Sequence, residues 1–348
     1  MSPKQLLRPI YRAINLLYRK YALWIVKLLI SPRGVSAHII LSYSSGVKSD
    51  GLGAQLQRVL ALNALGEYWN IPVRHSPVKQ IAVHPLDGFV DNSDYFKFLD
   101  EFNDLIGSDV SLEGSQALEN IYVDDLRLRH LVKLGLKVHF SKEHFVLRVT
   151  HPYFFIDAMP WLYKCSANSQ IRQKLSLRVT ENKKHRISLH HRHGVGNLAI
   201  QPGQNKPREI ILASYSNIMQ TLIKAHPKMG VSVYTDAPEV DLQFRPPIEQ
   251  RDSWENLPEF DGDLMKVSGN SLKGLVDDLP QGTEVVRGGH PLQSLANMAT
   301  SSILVLSRSS FGYVAALLSE EAEIFIPEDF WHPALPGWKT YSASRVAR

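Results

Sequence analysis

The chain has one cysteine, Cys165, in 348 residues. No disulfide framework can form within it, so a hydrophobic core must carry the fold, and a reducing compartment such as the cytoplasm suits it. It has neither Cys-x-x-Cys nor His-Glu-x-x-His, the spacings that gather zinc ligands. It has no apolar run of the roughly 20 residues that a membrane span needs: Tyr21 to Val26 is interrupted by Lys27 before Leu28-Leu29-Ile30. No small-residue cleavage site follows a clean apolar segment, which argues against a signal peptide. Carboxylates are missing from the first 33 residues, where Lys4, Arg8, Arg12, Arg19, Lys20, Lys27 and Arg33 stand unbalanced. The rest of the chain is close to neutral, so no nucleic-acid partner is expected. Neither an internal repeat nor a low-complexity segment is present.

What is present is an ordinary globular composition, 44% hydrophobic and 21% charged residues. The length suits two domains of about 150 residues each. The boundary is expected where the composition turns polar and basic, between about Lys164 and Lys184. This gives a basic N-terminal arm (1–36), a first domain (37–175) and a second (176–348). The arm, with Tyr18, Tyr21 and Trp24 among its cations, is expected to lie on an anionic membrane surface and to be dispensable for folding, or else to pack as a first helix on the domain.

The chain is organised around Arg186 to Gly194. Apolar residues of strand character run into His190-His191-Arg192-His193 and then a glycine, so a buried strand delivers a basic cluster into a cleft, which suits an anion. Packed structural histidines and a metal site are the competing readings, and the ligand spacing disfavours the metal. Upstream, a strand at Ala37 to Leu41 and a loop of small residues lead to Asp50-Gly51-Leu52-Gly53-Ala54-Gln55. There a helix opens with Leu52, Leu56, Leu60 and Ala64 at helical spacing. A strand, a glycine turn and a helix N-terminus make an anion-accepting corner, although a tight turn needing glycine's backbone freedom explains the same residues. The acidic and aromatic stretch from His84 to Gly107 reads as a solvated helix surface in preference to a sugar-binding wall. Beyond Ile187 to Leu189, apolar strands alternate with helices: Ser216 to Ala225, Val231 to Tyr234, Glu284 to Val286, Leu292 to Ala299, Ile303 to Leu306, Phe311 to Leu318 and Glu323 to Ile326. That alternation predicts a parallel sheet covered on both faces, with ligands at the carboxyl ends of its strands. Three candidates fall there: His190 to Gly194, Asp236, and Ser307-Arg308-Ser309-Ser310-Phe311. Ser309 and Ser310 are equally what a helix cap requires.

Three separated motifs and the strand between them resemble the inverting fucosyltransferases, the superfamily of the α-1,2 and α-1,6 enzymes and the protein O-fucosyltransferases. Gly51-Leu52-Gly53-Ala54-Gln55-Leu56 is similar to their Gly-x-Gly-Asn-Gln-Leu. His190-His191-Arg192-His193-Gly194-Val195 is similar to His-x-Arg-Arg-Gly-Asp. Leu295 to Leu318, with Ser309-Ser310-Phe311, is similar to their C-terminal motif, and Val233 to Asp236 to their strand ending in Ser-Asp. Order and spacing agree over roughly residues 37 to 326. Ala54, His193, Val195 and Ser294 depart from the pattern, and Ser294 stands where the family's guanine-reading acid would fall.

The resemblance implies a GT-B architecture, two Rossmann-like domains facing across a cleft, with the donor held by the second. It implies transfer of a sugar, fucose from GDP-fucose by family, to a glycan or polysaccharide hydroxyl with inversion and without metal or other cofactor. No Asp-x-Asp pair falls at an expected strand end, and Arg192 takes the cationic role toward the leaving diphosphate. His190 would pack beneath the nucleotide, and Ser309, Ser310 and the Phe311 amide would bind phosphate. Gly51, Gly53 and Gln55 would close over the sugar. Asp236 and His193 are the chemically possible bases. The alternative is a non-catalytic glycan- or nucleotide-binding protein on the same fold.

Overall fold

The computed structural model describes residues 3–30, 39–43, 51–82, 92–112, 119–123, 128–140, 144–149, 151–179, 185–192, 212–237, 239, 242–244, 260–261, 264–267 and 272–343. His193 and the motif's Gly194 and Val195 lie outside them. The chain divides into two compact units. One consists of Met1–Lys48, Gln55–Lys79 and Leu99–Ile171, the other of Ser49–Ala54, Gln80–Phe98 and Arg172–Arg348.

The elements up to residue 176 are α1 (Pro3–Ile30), β1 (Ile39–Tyr43), α2 (Leu52–Trp69), α3 (Asn92–Ile106), β2 (Glu119–Val123), α4 (Leu128–Phe140), β3 (Phe145–Val149), α5 (Tyr153–Ile156) and α6 (Ser166–Ser176). In the first unit β1 and β2 flank β3, all parallel. Beside β1, the segment Ile71 to Val73 makes only a bridge: Leu41 N–H donates to the Pro72 carbonyl and Arg74 N–H to that of Leu41. Proline supplies no donor of its own, which keeps this segment short. Leu41, Leu60, Phe145 and Leu147 fill the core.

Helix α1 is the first helix packed on the domain, the second of the two expectations, and not the dispensable arm. Leu23, Val26 and Ile30, on one face, are fully buried. The Trp69 indole donates to the Leu23 carbonyl at 3.4 Å, and α1 packs on α4 and α5. Its unbalanced cations concealed the apolar stripe that belongs to the core.

A polar network lies inside the same unit. Asn63 Nδ2 donates to Asn168 Oδ1 at 3.0 Å, and Asn168 Nδ2 in turn donates to the Leu60 and Tyr163 carbonyls. His75 Nε2 meets Asn63 Oδ1 at 2.9 Å. Burial lowers the His75 pKa to about 4. Burial likewise pushes the Cys165 thiol up, which makes it a packing residue and not a nucleophile.

In the second unit follow β4 (Arg186–His191), α7 (Leu212–Ala225), β5 (Gly230–Thr235), β6 (Leu242–Phe244), β7 (Phe260–Asp261), β8 (Leu264–Val267), α8 (Lys273–Asp277), β9 (Glu284–Arg287), α9 (Pro291–Ala299), β10 (Ile303–Val305), α10 (Ser310–Leu318), β11 (Glu323–Pro327) and β12 (Lys339–Tyr341). Strands β6, β8 and β7 form a small antiparallel sheet. The main sheet has the order β9-β5-β4-β10-β11-β12 and every pairing is parallel. In chain order its strands run 3-2-1-4-5-6, the doubly wound Rossmann arrangement. Ile187, Leu189, Val231, Val233, Ile303 and Val305 are buried, as required of strands covered on both faces. The order reverses between β4 and β10, and there the chain leaves in opposite directions above the carboxyl ends, opening a crevice.

Candidate functional site

Two expected motifs flank that reversal. Alternation along β4 sends His190 and His191 to opposite faces. His191 Nδ1 meets Thr235 Oγ1 at 3.0 Å, and its ring packs edge-on against Tyr215. It belongs to the core, as the structural-histidine reading supposed. His190 turns the other way, its Nδ1 2.7 Å from Ser307 Oγ at the end of β10. This bond ties the two strands together across the reversal.

The backbone of α10 comes close behind it. A Cβ on Gly312 would lie 2.9 Å from His190 Nδ1, and the His190 and Phe311 rings have centroids 5.6 Å apart. Ser309, extended at φ −142°, ψ 135°, caps α10 by accepting from the Phe311 amide at 3.2 Å. That amide, expected to receive a phosphate, is therefore engaged by the cap. The Ser310 and Gly312 amides remain the first-turn donors without an intrahelical acceptor.

The first turn of α2 meets this helix end. A Cβ on Gly53 would stand 2.3 Å from Phe311 N and 2.5 Å from Phe311 Cα. Gly53 is thus required by backbone-to-backbone approach and not by a positive φ, since neither it nor Gly51 has one. The first turns carrying Gly53 and Phe311 thus lie side by side, and the amides of a helix's first turn are donors that suit an anion beside them.

Arg192 follows β4 on the same side as His190 by strand alternation. Its Nη1 lies 3.0 Å from Oδ2 of Asp236, just past β5, and the side chains are 15% and 13% exposed. Arg308, inside the third candidate stretch but given no role of its own there, is 3% exposed. Its Nε and Nη2 both donate to Asp329 Oδ1, at 2.9 and 2.6 Å, and Nη2 also donates to the Ala343 carbonyl. Both partners are distant in sequence, so no local pattern announced this pair.

The remaining candidates are placed less centrally. Gln55 is buried in the first unit, where Oε1 accepts from the Tyr43 hydroxyl at 3.0 Å and Arg58 Nη1 at 3.4 Å. It links α2 to β1. Ser294 is half-buried on α9, which packs along α10. Gly51 is bridged to Ala82.

Among the described residues no three His, Cys, Asp or Glu side chains gather as metal ligands. The chain does contain one Asp-x-Asp run that the strand reading missed. Asp261-Gly262-Asp263 sits where β7 turns into β8, with residues 262 and 263 outside the described set.

No protein-family model matches the chain, and no curated protein matches it. Among solved structures, it is similar to the E. coli heptosyltransferase WaaC with ADP-2-deoxy-2-fluoro heptose, at 8% identity over 87% of this chain and 92% of that one, TM-score 0.40. It is similar to POFUT1 in complex with GDP-fucose at 12% identity, over 90% and 100%, TM-score 0.40. The E. coli ADP-heptose lps heptosyltransferase II shares 8% identity over 86% of each chain, TM-score 0.35. Likenesses at this level carry no inference about activity, and the site stands on its own residues.

Proposed function

We propose that the chain is a GT-B-type glycosyltransferase whose nucleotide-sugar donor lies at the strand-order reversal of the second unit. One observation carries this reading. At the reversal, an arginine after the first strand of the order and a serine-capped helix after the fourth flank one crevice, and a second helix N-terminus packs against the capped one. This edge is built for a diphosphate: amide donors of two helix first turns meet oxygens, and a guanidinium meets the charge.

In the reaction, an acceptor hydroxyl oxygen forms a bond to the anomeric carbon as the bond from that carbon to the diphosphate oxygen breaks. The electron pair leaves with the nucleoside diphosphate, and the hydroxyl proton passes to a base. Arg192 turns from Asp236 toward the departing phosphate as charge builds there, stabilising the transition state more than the ground state. Asp236, occupied by a guanidinium in this state, becomes available as that base once Arg192 has turned. GDP and fucose are the donor parts drawn from the family resemblance, with inversion at the anomeric carbon and no metal requirement. Ser294, where the family's guanine-reading acid would fall, leaves recognition of the nucleobase to other residues.

The Arg192–Asp236 pair also supports a second reading, a binder that holds a nucleotide without turning it over. Incubating the purified chain with GDP-, UDP- and ADP-sugars distinguishes the two. Transfer or slow hydrolysis releasing the nucleoside diphosphate is expected, together with a higher melting temperature in that diphosphate. A raised melting temperature without release would select the binder, and no shift with any nucleotide would remove both readings.

A further inference from the structure

The outward side of α1 is as apolar as its buried side. Ile14, Leu17, Tyr21, Trp24 and Leu28 recur every three or four residues and all are exposed, Leu17 by 67% and Trp24 by 51%. Spacing of that kind makes one continuous stripe along the helix. Tyr21 and Trp24 stack on each other with centroids 6.2 Å apart. Helix α4 widens the stripe: Val132 and Leu136 are exposed, and a Cβ on Gly135 would fall 2.7 Å from the Leu29 side chain, so the two helices are closely packed there.

Charge is segregated onto the same two helices. They carry Lys4, Arg8, Arg12, Arg19, Lys20, Lys27, Arg129, Lys133 and Lys137 and no Asp or Glu. Without these nine the chain is net acidic, with 30 Lys and Arg against 34 Asp and Glu. Lys20 Nζ sits 5.9 Å from the ring of exposed Trp161, and Lys27 Nζ 4.1 Å from that of Tyr68. The cations thus border the apolar stripe with their stems laid along aromatic surface.

Arg19 is paired with Asp157 at 3.6 Å, while Lys20, Lys133 and Lys137 are exposed. An apolar stripe with Trp and Tyr on helices that carry cations and no acids fits the headgroup layer of an anionic bilayer, where aromatic rings settle and phosphates attract lysine and arginine. No described helix is long and apolar enough to cross a membrane, so the fit is to the surface. A second copy of the chain is disfavoured, because a two-fold contact through this face would set the same cations against themselves.

We propose that α1 and α4 together form a docking face for an anionic lipid bilayer. The face is built into the first unit and is not a detachable arm, and the proposal is independent of the donor site. The full-length chain should co-sediment with vesicles containing about one-third phosphatidylglycerol at least about tenfold better than with pure phosphatidylcholine vesicles, and salt should weaken the binding. Leu17→Ser combined with Trp24→Ser, and separately Lys133→Glu combined with Lys137→Glu, should each lower it by about tenfold or more, with far-UV circular dichroism and melting temperature retained. Equal binding to both vesicle types would overturn the proposal, as would double variants that bind like the parent chain. Concentration-dependent dimers abolished by Leu17→Ser with Trp24→Ser, without vesicle binding, would overturn it in favour of a second copy.

Discussion

Two arginines follow neighbouring strands of one sheet, Arg192 directly after β4 and Arg308 shortly after β10, and each faces an aspartate. Arg308 is sealed at 3% exposure and meets Asp329 through two nitrogens while also reaching a backbone carbonyl. Arg192, just past the end of β4, is 15% exposed and is paired with Asp236, which is 13% exposed. The first arrangement fixes the loop after β11 and the chain beyond β12 onto the sheet. The second leaves a guanidinium within reach of a ligand. Identity of residue type and partner type therefore says little, and burial of the guanidinium separates a structural cation from one available for chemistry.

If that division holds, Arg308→Leu should have the largest effect at neutral pH, and on stability. Asp329 keeps 24% of its side chain exposed, so losing its charge-assisted bonds costs about 1.5–3 kcal/mol, roughly 3–12 °C in melting temperature for a unit of this size. A calorimetric scan of Arg308→Leu that matches the parent chain would place Arg308 with the mobile cations.

Acid should act elsewhere, on the first unit. His75 has its folded pKa lowered to about 4 by burial, below the unfolded value of about 6.5. The unfolded chain then binds the extra proton between these values, so His75's contribution is intact above about pH 6.5 and is lost as pH falls toward 4, about 3 kcal/mol in all. Urea melts at several pH values should show this slope, and His75→Gln should flatten it while leaving nucleotide affinity at neutral pH unchanged. A variant with the parent slope would assign the acid sensitivity to other groups.

The smallest effect expected is also a gain. Asp236→Asn removes the carboxylate that Arg192 must leave, so nucleoside diphosphate affinity should rise by about tenfold, the value of one surface-accessible charged contact. The matching Asp329→Asn should leave affinity where it was. Calorimetric titration of GDP into both variants checks the contrast, and weaker binding in Asp236→Asn would show that the carboxylate positions Arg192 instead of competing for it.

Much of the second unit was legible because both faces of β4, β5, β10 and β11 are buried, which writes itself as short apolar runs between turn residues. Edge strand β12 was not: Lys339-Thr340-Tyr341 buries only its tyrosine, and its pairing comes from β11. Helices α4 and α6 were hidden by their polar and basic composition, since Leu131, Leu134 and Val138 in one, and Ile171 and Leu175 in the other, are few among charged neighbours. In α1 the cations outweighed the stripe. At the site, His190 and the serine cap follow from local pattern. The role of Gly53 does not, because its neighbour Phe311 is far along the chain, and a glycine required by close approach reads the same as one required by a turn. The Arg192–Asp236 pair depends on β4 lying beside β5 in register, with His191 opposite Thr235, which no local spacing encodes.

The central claim is that Arg192 meets the leaving diphosphate, and Arg192→Lys tests it most directly because charge is kept while the planar fork is lost. Turnover of the nucleotide sugar and the melting temperature should be measured on the same preparation. The account predicts that turnover falls by at least about a hundredfold, the scale of losing one preorganised transition-state donor, with the melting temperature within a few degrees of the parent. Near-parent turnover in Arg192→Lys, or a chain that no longer folds, would contradict it.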